Sequence, residues 1–321
     1  MLLFIGDVAR GDRDREGFQE VDFHTMFAPL AKLVLRIEDA RRIPEYVARA
    51  WNTAVSGRPG PVVIVLPEDM LTDEVEAVDR PKVPCIAQSA DPMAVDAMMA
   101  LLKDAAAPVA IVGGAGWCAG TVAAFSEWAE RIGIPVAGAF RRQDSIANDS
   151  PVWAGNLGYG PNPKLVQRVK DADLIIAVGA RLGEATTDGY TLIPLDHPEQ
   201  TLVHIHPDPS ELGRVYKTDL AICADMREFA ELCAAWEDEV IHFDAGAVAH
   251  AEWLDWSTPK PRDGVTLDMG QVLLALRDPL PADTIVCNGA GNFSAWVHRF
   301  WRYAAAPSQL APTNGSMGYG T

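Results

Sequence analysis

The chain has 321 residues, 49% of them hydrophobic and 22% charged, which allows two or more cores of ordinary globular composition. Forty-four acids against 27 bases leave a net charge of −17, and long-range repulsion then excludes nucleic acid and anionic membrane surfaces as partners. No apolar run is long enough to span a bilayer.

The opening MLLFIGDVARGD lacks a basic n-region and meets acids at once, so it reads as a buried strand and not as a signal peptide, with a cytoplasmic location expected. Ile43, Val47, Ala50, Trp51 and Ala54 fall on one helical stripe that SGRPGP ends, and residues 62–66 form a short apolar strand of buried parallel type. Residues 69–90 lose periodicity and carry acids and prolines, which places a domain boundary there. Asp91 as N-cap and Pro92 at the first helical position then open a helix. Near-continuous apolar runs at 108–116, 134–140, 172–180, 201–208 and 219–225 alternate with helical patterns such as 120–132 and 163–171. That alternation predicts an α/β fold whose central part is a doubly wound parallel sheet with helices on both faces. Residues 236–262, acidic and Trp-bearing, break the alternation as a second connection. Beyond it a third unit begins: TLDMGQVLLALRDPLP as helix, DTIVCNG as strand and NFSAWVHRFWRYA as helix.

Five scattered cysteines, Cys85, Cys118, Cys223, Cys233 and Cys287, are odd in number and nowhere spaced CxxC. They read as buried thiols in a reducing compartment, with no disulfide framework.

Candidate chemistry lies in the strand-end loops, because ligands of open α/β sheets sit at the carboxyl ends of strands. In IVGGAGW (111–117) the bare amides of Gly113 and Gly114 suit a phosphate at a helix start, and equally suit a tight packing turn. AVGARLGEATTDGY (177–190) presents Arg181, a donor fork for phosphate or a flavin carbonyl, or else a surface partner of Glu184 or Asp188. His204 and His206 share one face of a strand, but with no third ligand nearby they mark a strand end more than a metal site. CNGAGNFSAW (287–296) is strand, glycine-rich turn and helix, a geometry that suits pyrophosphate.

Joined to LAPTNGSMGYG (310–320), that motif resembles the opening of the pyrophosphate-binding domain of thiamine diphosphate-dependent enzymes. The whole chain resembles the acetolactate synthase large subunit and its relatives. DREGFQEVDFHTMFAPLAK and SGRPGPVVIVLPEDM look like the last part of the pyrimidine-binding domain, and VAIVGGAG through HIHPDPSELGR to ICAD looks like the central domain. The resemblance implies four segments: residues 1–75, the C-terminal part of the pyrimidine-binding domain; 76–237, a central Rossmann-like domain; 238–266, a linker; and 267–321, a truncated N-terminal part of the pyrophosphate-binding domain.

It also implies roles. Ala290, Gly291, Asn292 and Phe293 occupy the loop that contacts the diphosphate. Gly315 and Met317 lie where the family holds the aminopyrimidine and ring junction, Met317 as the wedge that keeps the cofactor bent. Gln19, in the Phe18-Gln19-Glu20 loop, matches a residue lining the substrate side, and Gly113, Gly114 and Arg181 match positions near the flavin in members that hold FAD. The family's activating glutamate and its magnesium-binding GDG-to-Asn stretch have no counterpart, so the chain reads as an inactive internal piece, its Mg2+ ligands lying elsewhere. Arg181-Leu182-Gly183-Glu184-Ala185 keeps only the first residue of the synthases' arginine-acid pattern, which leaves FAD open. Glu68 stands where synthases have lysine and Phe293 where they have histidine, which admits a decarboxylase, carboligase or oxidase. The expected activity is decarboxylation of pyruvate or a similar small 2-oxo acid with transfer of the enamine to an acceptor, in a homodimer or homotetramer. The alternative is a non-catalytic module binding FAD or another adenine nucleotide.

Overall fold

In the computed structural model, all residues are described except 82, 85, 86, 196–198, 237–240, 261–263, 265, 266, 305 and 319–321. The chain separates into two compact units, Met1–Ala87 and Gln88–Thr321.

In the first unit, β1 (Leu2–Asp7), β2 (Leu33–Arg36) and β3 (Val62–Pro67) form a parallel sheet in the order β1-β3-β2. The sequence VVIVLP takes the middle place because it is apolar on both faces and is buried almost throughout. The opening segment is the correction: β1 is an edge strand, and its Phe4 is 53% exposed. Helix α1 (Phe23–Phe27) is capped by Asp22, whose carboxylate accepts from Thr25 N at 3.0 Å. Helix α2 (Ile43–Val55) turns Ala50 and Ala54 into the core, while Trp51, expected on the same stripe, stays largely exposed.

The second unit starts with α3 (Pro92–Asp104), capped by Asp91 accepting from Met93 N at 3.0 Å. It continues through β4 (Pro108–Val112), α4 (Ala119–Ile132), β5 (Val136–Gly138), β6 (Trp153–Asn156), α5 (Pro163–Lys170), β7 (Leu174–Val178), β8 (Thr201–His206), β9 (Leu220–Cys223) and α6 (Met226–Ala235). Six parallel strands in the order β6-β5-β4-β7-β8-β9 make the doubly wound sheet, which reverses direction between β4 and β7. One face carries a core that includes Met98, Phe125, Trp128 and Phe229, and the other a core that includes Leu165, Val169 and Leu202.

Sequence periodicity did not reveal β6 or α7 (Ala245–Ser257), which forms where only a connection was expected. Helix α7 has no single apolar stripe because it serves both cores at the sheet's edge: Ala249 packs in one and Trp253 in the other. Trp253 lies edge-on to Trp153 of β6 at 6.2 Å, and His250 Nδ1 donates to Trp153 O at 3.0 Å. After α8 (Met269–Arg277) come β10 (Val286–Cys287), α9 (Ser294–Phe300) and β11 (Gln309–Leu310); β10 and β11 pair in parallel, Val286 opposite Gln309.

The thiols also depart from expectation. Cys233 is buried, Cys223 half-buried, and Cys118 and Cys287 exposed; Cys85 lies outside the described residues.

Candidate functional site

Because β10 and β11 are adjacent and parallel, the loops leaving their carboxyl ends start side by side. The first carries Ala290, Gly291, Asn292 and Phe293, and among the described residues none of their N–H groups makes a hydrogen bond. Its carbonyls are held from behind: Ser294 Oγ donates to Gly291 O at 2.7 Å, and Asn288 Nδ2 to Gly289 O at 3.0 Å. Phe293, 57% exposed, lies over Gly291, where an added Cβ would come within 2.7 Å of the ring. In the second loop Gly315 adopts φ +77° and closes a turn by donating to Pro312 O at 3.0 Å. No atom lies within 4 Å of where its Cβ would be. Asn314 Oδ1 accepts from Ser316 N at 3.0 Å, and Met317 beyond it is 86% exposed. Tyr319, Gly320 and Thr321, the end of the expected GSMGYG motif, lie outside the described residues.

Gln19 belongs to the other unit. It sits at φ +66° on an exposed loop that Glu20 closes, its carboxylate accepting from Asp14 N at 2.5 Å and Gly17 N at 2.9 Å. Those amides hold the Glu20 carboxyl below its usual value. Beside this loop a cavity of about 390 Å³ is lined by Asp7, Glu20, Asp22, His24 and Arg36 among others, with Asp7 and Arg36 ion-paired.

The residue that organises the β10–β11 end escaped sequence reading. Arg141, in the loop after β5, is only 4% exposed. Its Nη1 donates to Pro312 O at 2.6 Å, and its Nη2 reaches Ser294 Oγ at 3.3 Å and Gly289 O at 3.4 Å. One guanidinium therefore touches both glycine-bearing loops. Arg141 holds φ +58°, a left-handed conformation unfavourable for a residue with a Cβ. Phe140, just before it, donates from N to Thr186 Oγ1 at 3.2 Å. The segment continues as a buried polar strap. Asp144 Oδ2 accepts from Ser308 N at 3.0 Å and Gln309 N at 3.1 Å, and Gln143 Nε2 donates to His298 O at 2.8 Å. Asn148 Nδ2 donates to Gln143 O at 2.8 Å, and Asn148 Oδ1 accepts from Tyr303 N at 2.9 Å. RRQDSIAND shows neither helical nor strand periodicity, so only its density of side chains able to bond backbone groups could have marked it. Burial, with the charge of Arg141 adding to it, lowers the His298 imidazole to about 4, so His298 is neutral near pH 7.

At the carboxyl edge of the six-stranded sheet the glycines serve the protein itself. A Cβ on Gly114, at φ +75°, would lie 2.0 Å from Gly179 O, and one on Gly179 would lie 2.4 Å from Gly113 O. Gly113 N donates to Val178 O at 3.0 Å, and Trp117, buried, donates from Nε1 to Gly113 O at 2.6 Å. Arg181 Nε pairs at 3.1 Å with Glu211, a buried carboxylate that Arg214 also holds at 2.8 Å. The expected alternative partners, Glu184 and Asp188, are not the ones used. The Gly113 amide and Arg181 Nε are thus engaged within the protein, and Glu211 puts a negative charge beside Arg181. His204 Nε2 donates to Ala180 O at 2.8 Å, and among the described residues no group of three His, Cys, Asp or Glu side chains could hold a metal ion. Nor, among them, is any helix long and apolar enough to cross a membrane.

A family profile described as thiamine pyrophosphate enzyme, central domain, matches residues 95–232. The acetolactate synthase large subunit of Corynebacterium glutamicum is 26% identical over 333 residues, covering 99% of this chain and 52% of that protein. The sulfoacetaldehyde acetyltransferase of Alcaligenes xylosoxydans xylosoxydans is 29% identical over 344 residues, covering 94% and 55%. The acetolactate synthase of Arthrospira platensis is 25% identical over 347 residues, covering 100% and 57%. The chain thus spans about half the length of the curated relatives it matches.

Proposed function

We propose, from the premise that the chain belongs to the thiamine diphosphate-dependent enzymes of acetolactate synthase-like kind, that it forms part of a 2-oxo acid carboligase or decarboxylase. The observation that carries this reading is the meeting of the two glycine-bearing loops at one end of the β10–β11 pair, with four successive N–H groups, Ala290 to Phe293, open to a ligand. Open amides in sequence suit diphosphate oxygens. Gly315 leaves room for close approach, and Met317 offers an exposed apolar side chain as a wedge against a ring system. When bound, thiamine diphosphate supplies the electron sink that lets a 2-oxo acid lose carbon dioxide. Gln19 remains the candidate for the substrate side.

The finer parts of the reading follow from family membership. The substrate is pyruvate or a similarly small 2-oxo acid, and the acceptor is a carbonyl compound. Mg2+ accompanies the diphosphate through ligands outside these 321 residues, FAD has no part, and the working assembly is a homodimer or homotetramer. The division into residues 1–75, 76–237, 238–266 and 267–321 belongs to the same proposal. So does the inactivity of this stretch by itself, given that it spans about half of its relatives.

The test is pyruvate consumption and carbon dioxide release with thiamine diphosphate and Mg2+, measured on the 321-residue chain and on the reading frame extended at both ends. Turnover by the extended protein alone is the expected outcome. Failure of both to turn over any small 2-oxo acid, together with failure to bind the cofactor, would sink the reading and favour a non-catalytic module.

A further inference from the structure

We propose that Arg141 is a positioning residue that fixes the two glycine-bearing loops with their amide N–H groups facing a diphosphate. The inference rests on the reading above and adds a residue from outside both loops. In a trans peptide the C=O and the N–H that follows it point in opposite directions. Arg141 holds the carbonyls of Gly289 (3.4 Å) and Pro312 (2.6 Å), so the N–H groups of Ala290 and Thr313 are turned away from it, toward the open side. Among the described residues neither N–H makes a hydrogen bond. The Ser294 hydroxyl, 3.3 Å from Arg141, holds Gly291 O in the same manner at 2.7 Å, which turns the Asn292 N–H outward as well.

Three further observations favour a positioning role over simple filling of space. Arg141 adopts φ +58°, a conformation that glycine would take without strain, so the side chain is retained at a backbone position that disfavours it. It is buried, so its charge acts on the loops at close range with little screening by water. And it reaches both loops from the turn after β5, so the spacing of the two loops follows the six-stranded sheet and not the two-residue strands β10 and β11 alone.

The experiment, on the reading frame extended at both ends, compares the wild-type protein with Arg141→Met, Arg141→Lys and Arg141→Gly. Hydrogen exchange without ligand is read at the hydrogen-bonded amides of the two loops, Asn288 and Ser294 in the first and Gly315 and Ser316 in the second, with 108–112 as internal reference. Titration with thiamine diphosphate plus Mg2+ is read beside titration with thiamine, which lacks the diphosphate. Arg141→Met is expected to speed exchange in both loops, leave 108–112 unchanged and weaken thiamine diphosphate binding about tenfold, as loss of charge-assisted hydrogen bonds to backbone would. Thiamine, which lacks the diphosphate, should be weakened less. Arg141→Lys should recover part of the affinity, since one ammonium cannot span both loops. Arg141→Gly should behave like Arg141→Met although it relieves the backbone, and it serves if the methionine variant fails to fold. Unchanged exchange in both loops would overturn the positioning role whatever binds there. Faster exchange with no thiamine diphosphate bound by the wild type would keep the loop geometry but overturn the ligand, and with it the function proposed above. Equal weakening of thiamine and thiamine diphosphate would also overturn it.

Discussion

Two strand ends in this molecule carry glycine-rich turns that look alike in sequence, and the fold uses them oppositely. After β4, Gly113 and Gly114 lie against Gly179 of the neighbouring strand, backbone on backbone, and Trp117 closes over them. After β10 and β11, Gly315 has no atom within 4 Å of its missing Cβ, and four consecutive amides from Ala290 have no hydrogen-bond partner among the described residues. Glycine reports that something passes close to the backbone; whether that is another strand or a ligand depends on what lies opposite. At the first edge the chain itself lies opposite, and at the second the space is open.

The sharpest way to break this contrast is Gly114→Ala. The new methyl would meet Gly179 O at 2.0 Å at a residue held at φ +75°, so a loss of more than about 4 kcal/mol is expected in urea unfolding, with folding abolished at the extreme. A mild effect would mean that the turn can relax and that its glycine is not there for packing.

The next effect is acid sensitivity. Burial beside Arg141 brings His298 from 6.5 down to about 4 in the fold. Below pH 6.5 the unfolded chain takes up a proton that the folded chain refuses, so stability is intact above that value and falls as the pH drops toward 4. From pH 7 to pH 5 His298 contributes a loss of about 2 kcal/mol. His298→Gln should remove that part of the slope; identical slopes in the two proteins would contradict it. Gly315→Ala is expected to destabilise by only about 1 kcal/mol, the strain of a positive φ without a clash, while weakening the cofactor more than the fold. Arg181→Ala is the smallest: an exposed arginine leaves Glu211 still held by Arg214, so under about 1 kcal/mol should be lost in a thermal melt. Loss of a bound flavin on that substitution would reverse the assignment of this edge.

Much of the architecture was legible because buried parallel strands write themselves as unbroken apolar runs. Residues 108–112, 174–178 and 201–206 are such runs, and Asp91 with Pro92 announced a helix that forms as expected. What stayed hidden was whatever draws its logic from tertiary neighbours. Strand β6, WAGN, is too short and too polar to read, and α7 divides its apolar residues between two cores. Trp153 and Trp253 identify each other only once both are placed. At the candidate site the 287–296 turn was legible because strand-turn-helix spacing is local, whereas Gly315 and Met317 drew their expected roles from the family resemblance. Arg141 was not, since its partners are 148 and 171 positions away and an arginine in a polar loop looks like surface. The two exposed thiols show the same limit from the other side, for sequence supplies a residue's preference but not its exposure.

The most direct measurement is hydrogen exchange on the reading frame extended at both ends, with and without thiamine diphosphate and Mg2+, read at both strand ends in one experiment. Protection is expected at 289–293 and 311–317, with residues 113–117 and 179–183 unchanged. Protection at 113–117 and 179–183, or at neither end, would contradict the assignment of the β10–β11 loops as the cofactor's diphosphate site.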